Sequence, residues 1–199
     1  MTVRLVLRQD YRAASLVFAQ YFFLVVGLLA AGYTAFHVAA RYVYQVHESR
    51  VFDHAVALRQ AAPRADAPAR SLVGKIEIPR LNISAIVKEG VDERTLGLAA
   101  GHIPHTALPG QPGNVGVAAH RDTLFRNLKD VRRDDRITVT TLDGRYVYRV
   151  ASFRIVQPTD VSVLDPSPDE NTLTLVTCYP FYFVGHAPKR FIVRALQVF

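Results

Sequence analysis

From Ala13 to Ala40 the chain carries no Asp, Glu, Lys or Arg, and Arg12 and Arg41 close the run at its two ends. Wound as a helix at 1.5 Å per residue, this stretch reaches about 42 Å, more than the roughly 30 Å hydrocarbon core of a bilayer, so it can span one with some tilt. The run thereby removes itself from any water-soluble fold, which must be built from the residues beyond it. A cleavable signal peptide is the competing reading, because Val38-Ala39-Ala40 resembles a small-residue cleavage site. The run exceeds the roughly 7–15 apolar residues of a signal core, and Tyr33, Phe36, Tyr42 and Tyr44 gather near its far end as interfacial anchors do. We therefore expect a retained anchor over 13–40, with residues 1–12 as a cytoplasmic tail. Arg4, Arg8, Arg12 and the amino terminus outweigh Arg41 and Arg50 in the positive-inside balance, which puts the bulk of the chain outside the cell.

Residues 41–70 read as a juxtamembrane helix followed by a spacer. Val43, Val46, Phe52 and Val56 fit a helix loosely, and Pro63-Arg-Ala-Asp-Ala-Pro68 breaks it. The remaining segment, 71–199, is long enough for one domain with its own core. The formal charge of +7 is spread unevenly: residues 1–70 carry eight basic and four acidic side chains, and residues 71–199 sixteen against thirteen. So mild and scattered an excess excludes the clustered basic face that nucleic acid requires. The sequence offers no repeat and no metal-ligand cluster.

From Leu72 onward, alternation and β-branched residues replace helical periodicity. Strands are expected at 74–78, 82–88, 114–119, 136–142, 145–156, 173–177 and 191–198, and Asp143-Gly144 predicts a tight primed turn with positive φ values. Short helical turns are expected over 92–96 and from Asp122 or Thr123 to Leu128, each led by a capping side chain. Asp134-Asp135 reads as a solvated turn. Many short strands separated by turn residues point to a mainly β domain, a small barrel or sandwich.

Cys178 is the sole cysteine, so it forms no disulfide within the chain. It is either a small apolar filler at a strand end or a nucleophile, and a thiol with an ordinary pKa near 8.5 needs a base or cation beside it to react at neutral pH. His120 ends the strand Val115-Gly-Val-Ala-Ala119 just as Cys178 ends its own, which makes it the favoured base among seven histidines. Arg190 opens the strand after Cys178 and lies on the same rim if the two strands are antiparallel; Arg194, on the same strand face, is its rival. His105, in the Gly/Pro loop, and His186, in the loop after the cysteine, are the alternatives to His120 as the histidine that lines the cleft. The loop from Tyr179 to Lys189 is aromatic, with Tyr179, Phe181, Tyr182 and Phe183 available to line a groove.

His120 in Val117-Ala-Ala-His-Arg-Asp122, Cys178 in Thr174-Leu-Val-Thr-Cys178 and Arg190 in Lys189-Arg-Phe-Ile-Val-Arg-Ala195 resemble, in order and context, the His, Cys and Arg of the sortases. Gly74-Lys-Ile-Glu-Ile-Pro79, Leu108-Pro-Gly-Gln-Pro-Gly-Asn114, His120-Arg-Asp-Thr-Leu-Phe-Arg126 and Cys178-Tyr-Pro180 look most like class D. The resemblance implies an eight-stranded β-barrel behind an N-terminal transmembrane helix. It implies a cysteine transpeptidase that cuts a Leu-Pro-x-Thr-Gly-like sorting signal through a thioacyl intermediate and passes the product to an amine of a cell-wall or pilin component. Cys178 would be the nucleophile, His120 the acid and base, and Arg190 the substrate or oxyanion ligand, with Thr177, Tyr179, Phe181, Ala119 and Arg121 as substrate contacts and no cofactor. Ala119 stands where many sortases carry glycine, and His105 where a small residue is expected. An L,D-transpeptidase would show Ser-His-Gly-Cys in place of Leu175-Val-Thr-Cys178, and papain-like proteases place cysteine before histidine. The reading from another class is a membrane-tethered, non-catalytic β-module with Cys178 as filler.

Overall fold

The computed structural model describes residues 3–61, 72–166 and 170–198, with side chains from residue 15 to 58 in the first of these stretches. Helix α1 runs from Val3 to Ala61. It is long and apolar enough to cross a membrane, and its residues Leu16, Phe18, Phe23, Leu29 and Phe36 are all exposed. The Pro/Ala spacer and the boundary expected near Ser71 lie outside the described residues. By compactness the chain divides into Met1–Val43 and Tyr44–Phe199.

The second unit is a closed barrel of eight strands. They are β1 (Leu72–Ile78), β2 (Ile83–Glu89), β3 (Ala100–His102), β4 (Asn114–Ala118), β5 (Arg136–Thr140), β6 (Arg145–Val156), β7 (Thr172–Tyr179) and β8 (Lys189–Val198). Their order around the barrel is β1-β2-β3-β4-β7-β8-β6-β5, with β5 closing onto β1. The pairs β2/β3 and β4/β7 are parallel and the rest antiparallel, so closure leaves no strand edge unpaired along the circuit.

Alternation fills the interior. Ile76 and Ile78, Ala85 and Val87, Val115 and Val117, Ile137 and Val139, Leu173 and Leu175, and Val193 and Ala195 all pack inside, each nearly inaccessible. Each fully buried Val, Leu or Ile side chain contributes about 1.5–3 kcal/mol, so this shared interior dominates the stability of the unit. Tyr148 lies there too, and burial, with the nearby Tyr146 adding, pushes its phenol up to about 12.

The residues that leave the barrel correct several sequence expectations. Asp143 and Gly144 do not take positive φ; the β5–β6 connection closes instead by Thr141 N–H donating to Gly144 O at 2.8 Å, while the Thr141 hydroxyl accepts from both Asp143 and Gly144 N–H. Asn82 is not in a strand; its φ of 51° ends a 3₁₀ turn over Pro79–Leu81. The turn expected from Asp122 or Thr123 to Leu128 forms as a hydrogen-bonded turn over 121–125 that runs into a 3₁₀ helix over Arg126–Asp130; the expected side-chain cap is absent, and Thr123 Oγ1 is buried without a partner. Helix α2 (Glu93–Leu98) does form, with Asp92 accepting from Thr95 N–H. Asp135 is not solvated: it is 7% exposed and pairs with Arg80 through both carboxylate oxygens. Its hydrogen bonds to Arg80, and then to Arg132 N–H, hold the carboxyl below the usual range against the opposing cost of burial.

Two connections are fixed by polar side chains. Asn114 donates to Val163 O and Asp165 O and accepts from the Thr174 hydroxyl, so one satisfied amide pins the β6–β7 connection to the sheet. The last turns of α1 lie on the outer face of β1 and β2. Gln45 accepts from Ile86 N–H and donates to Leu98 O, Tyr44 accepts from Lys88, and Asp53 pairs with Lys75 at 3.5 Å. Ile86 points outward by alternation yet is fully buried, as is Phe52.

Candidate active site

The inward set on β4 is Val115 and Val117, followed by Ala119; on β7 it is Leu173 and Leu175, followed by Thr177; on β8 it is Phe191, Val193 and Ala195. Alternation therefore turns the intervening positions, His120, Cys178 and Arg190, to the outside of the sheet. Register then levels them. Strand β4 pairs in parallel with β7, Ala118 against Val176, and Ala119 N–H continues the ladder to Val176 O, so two residues further on His120 comes level with Cys178. Strand β8 runs antiparallel to β7 with Arg190 directly opposite Cys178. Three adjacent strands thus deliver a base, a thiol and a guanidinium to one rim.

The three line a single cleft of about 380 Å³ together with Arg121, Asp122, Gly185, His186 and Ala187. Cys178 is half-buried at this cleft and free of any disulfide. The turn that carries His120 is held from below: its carbonyl accepts from Phe125 N–H at 3.1 Å, and Phe125 is fully buried. Arg194 is placed elsewhere. It sits opposite Thr174, four residues deeper along β8, and lines a separate cavity of about 180 Å³ with Ser152, Arg154 and Ile192.

The other expected contacts divide by strand phase. Thr177 is 2% exposed and its hydroxyl donates to Ala119 O at 2.7 Å, tying the cysteine strand to the histidine strand from inside; Ala119 is buried with it. Tyr179 and Phe181 pack against the core and against Phe191, with ring centroids 6.4 and 5.3 Å from it. Arg121 alone of the five lines the cleft. The Tyr179–Pro180 peptide bond is cis.

Of the competing histidines, His186 lines the cleft and His105 does not. His105 is exposed in its loop with φ at 67°, in the left-handed region. His102 is buried and engaged on both ring nitrogens, Nδ1 with Glu89 at 2.7 Å and Nε2 with Ala107 O and the Thr106 hydroxyl at 3.0 Å, so it braces the β3–β4 loop. Among the described residues no three of His, Cys, Asp and Glu are arranged to hold a metal. Sequence reasoning left out the wall formed by Gly185 and Ala187. Their signal is weak, since nothing in their residue types distinguishes them from any other loop.

Comparison with known proteins bears on this geometry. The model of the sortase domain matches residues 76–198. Sortase D of Bacillus subtilis is 33% identical over 125 residues, a stretch covering 63% of this chain and 63% of that relative's length. The structure of a Clostridium perfringens sortase D5 transpeptidase superposes with a TM-score of 0.64 at 25% identity, covering 81% of this chain and 99% of the other. A Clostridium perfringens sortase C structure described as holding the C-terminal cell wall sorting motif gives a TM-score of 0.60 at 27% identity, over 64% of this chain and 71% of that one.

Proposed function

Given that this chain belongs to the sortase family, we propose that it is a membrane-anchored cysteine transpeptidase that cleaves a Leu-Pro-x-Thr-Gly-like sorting signal and joins the product to an amine at the cell surface. The observation that carries this reading is the convergence of His120, Cys178 and Arg190 on one cleft from three adjacent strands. The resemblance to a sortase described with a cell wall sorting motif supports the substrate class.

In the proposed reaction the Cys178 thiolate attacks the threonyl carbonyl. A bond from Sγ to carbon forms, and the electron pair of the C=O bond moves to oxygen, where the Arg190 guanidinium stabilises the developing charge. The intermediate collapses as the C–N bond breaks, and the His120 imidazolium gives its proton to the departing glycyl amine. A thioacyl enzyme remains. An acceptor amine from a wall or pilin component attacks it, loses a proton to His120 and expels the thiolate, so nucleophile, base and proton count all return to their starting state. The substrate peptide lies against the wall formed by Gly185, His186 and Ala187, while Thr177, Ala119, Tyr179 and Phe181 brace the rim beneath it. The apolar part of α1 anchors the enzyme, with its N-terminus in the cytoplasm and the barrel outside.

The full chain in detergent, given a quenched fluorescent sorting peptide, is expected to cut after the threonine, and the threonyl fragment is expected to appear joined to an added amine. Absence of cleavage across a panel of such peptides would favour a tethered binding module.

A further inference from the structure

The β7–β8 loop, from Pro180 to Pro188, forms one wall of the cleft, yet it has little burial of its own. Tyr182 is 76% exposed and Val184 95%, and Phe183, Gly185 and His186 are also exposed. A segment with so few apolar contacts holds one shape only if something other than packing holds it. Gly185 carries φ +92 with no atom within 4 Å of the place a Cβ would occupy, so backbone conformation and not crowding selects glycine there.

The loop is fastened by its carbonyls. Arg121 Nη2 donates to Phe183 O at 2.6 Å and to Gly185 O at 3.1 Å. Arg190 Nη1 donates to Ala187 O at 3.2 Å and to Lys189 O at 3.0 Å. Alternate carbonyls along the loop are thus taken in turn by two guanidiniums, one from each side of Cys178. Lys129 adds a tether at the tip, donating to the Tyr182 hydroxyl at 2.8 Å. Among the described residues no carboxylate forms an ion pair with Arg121, so its directional donors are directed to neutral backbone.

We propose that Arg121 is a positioning residue that sets the width of the cleft by strapping the β7–β8 loop to the strand end that carries His120. His120, Arg121 and Asp122 form one wall, and Gly185, His186 and Ala187 form the other. The hydrogen bonds from Arg121 to Phe183 O and Gly185 O cross from wall to wall. Because Arg121 is bonded directly to His120, the loop and the base move as one piece. Both bonds leave a single nitrogen, Nη2, which stands one covalent bond further from the backbone than a lysine Nζ and is held in a rigid plane, so a lysine at 121 keeps the charge but falls short of the two carbonyls. The consequence for catalysis rests on the proposed transpeptidase activity; the consequence for the loop does not.

The loop supplies its own probe, since Tyr182 and Phe183 are chymotrypsin sites. In the full chain in detergent, Arg121→Ala and Arg121→Lys are expected to raise the rate of chymotryptic cleavage within 181–184 by about tenfold or more, with cleavage elsewhere in 72–198 unchanged. With a sorting peptide, both variants are expected to raise KM by about tenfold while kcat falls less than about threefold. Arg121→Lys keeps the charge, so full recovery of both readouts in that variant would assign the effect to the field of the cation and overturn the strap. Wild-type cleavage rates within the loop in both variants would overturn it as well. If the wild-type chain cuts no peptide, the protease readout still decides this proposal while the transpeptidase reading fails. Unchanged cleavage elsewhere separates a freed loop from a misfolded barrel.

Discussion

Two patches on the outside of this barrel start alike and end differently. At Ile86 on β2 and at Cys178 on β7, alternation turns a small or apolar side chain away from the core. At Ile86 the chain's own helix covers the sheet, and Gln45 completes the hydrogen bonding by accepting from Ile86 N–H and donating to Leu98 O. At Cys178 no helix is laid on the sheet among the described residues, and two arginines and the β7–β8 loop frame an open cleft. Outward positions that the helix covers serve stability, and under the proposed function those left open serve chemistry. A covered patch costs folding energy when cut, whereas an open one costs activity.

The largest expected effect lies on the open side. Cys178→Ala is expected to abolish peptide cleavage and Arg190→Ala to lower kcat/KM by about 10²–10³-fold through loss of oxyanion stabilisation, with thermal midpoints close to wild type. Steady-state kinetics and calorimetry on the same preparations check both halves. The covered side should answer in the opposite way. Phe52→Ala is expected to destabilise the barrel unit by about 3 kcal/mol in denaturant unfolding, as for a buried aromatic at the periphery, while the folded enzyme keeps kcat/KM within about threefold. A Phe52→Ala enzyme that is stable but inactive would dissolve the distinction.

A smaller effect sharpens it by pH. Arg80 holds the Asp135 carboxyl below its ordinary range, so the folded state binds a proton there less readily than the unfolded state does. The stabilisation is fully present above the ordinary carboxylate pKa of about 3.9 and is lost as pH falls through the lowered folded value. Asp135→Asn is expected to lose about 1–3 kcal/mol at neutral pH and to show a shallower decline below pH 4 in unfolding titrations. The smallest effect is a gain. His105→Gly relieves a φ of 67° and is expected to stabilise the domain by about 1 kcal/mol without changing cleavage, measured by the same denaturant curves.

How much of this was legible in the sequence depends on the range of each interaction. That His120 and Cys178 stand near the ends of their strands could be read directly, because alternation is local, although β4 stops at Ala118 and β7 runs on to Tyr179; the inward placement of Ala119 and Thr177, expected as substrate contacts, emerges only in the fold. The register that levels His120 with Cys178 depends on a parallel pairing between segments nearly sixty residues apart, and the motif resemblance supplied what periodicity did not. Short elements escaped: β3 has three residues, too few to alternate visibly, and the connection at Asp143-Gly144 is shaped by the Thr141 side chain and not by the dipeptide. Asp135 read as solvated because its partner, Arg80, lies on a distant turn. For the same reason the ties from Arg121 to the β7–β8 loop are invisible in a row of residues, since they join a side chain to backbone carbonyls that every residue possesses.

Under the proposed function Cys178, on the open outward face, is the nucleophile served by His120. The most direct test of that role is intact-protein mass spectrometry of the full chain quenched in acid during turnover of a sorting peptide. The expected result is a mass gain equal to the peptide's acyl portion, mapped to Cys178 and absent in Cys178→Ala and in His120→Ala. An adduct on another residue, or turnover by His120→Ala at the wild-type rate, would contradict it.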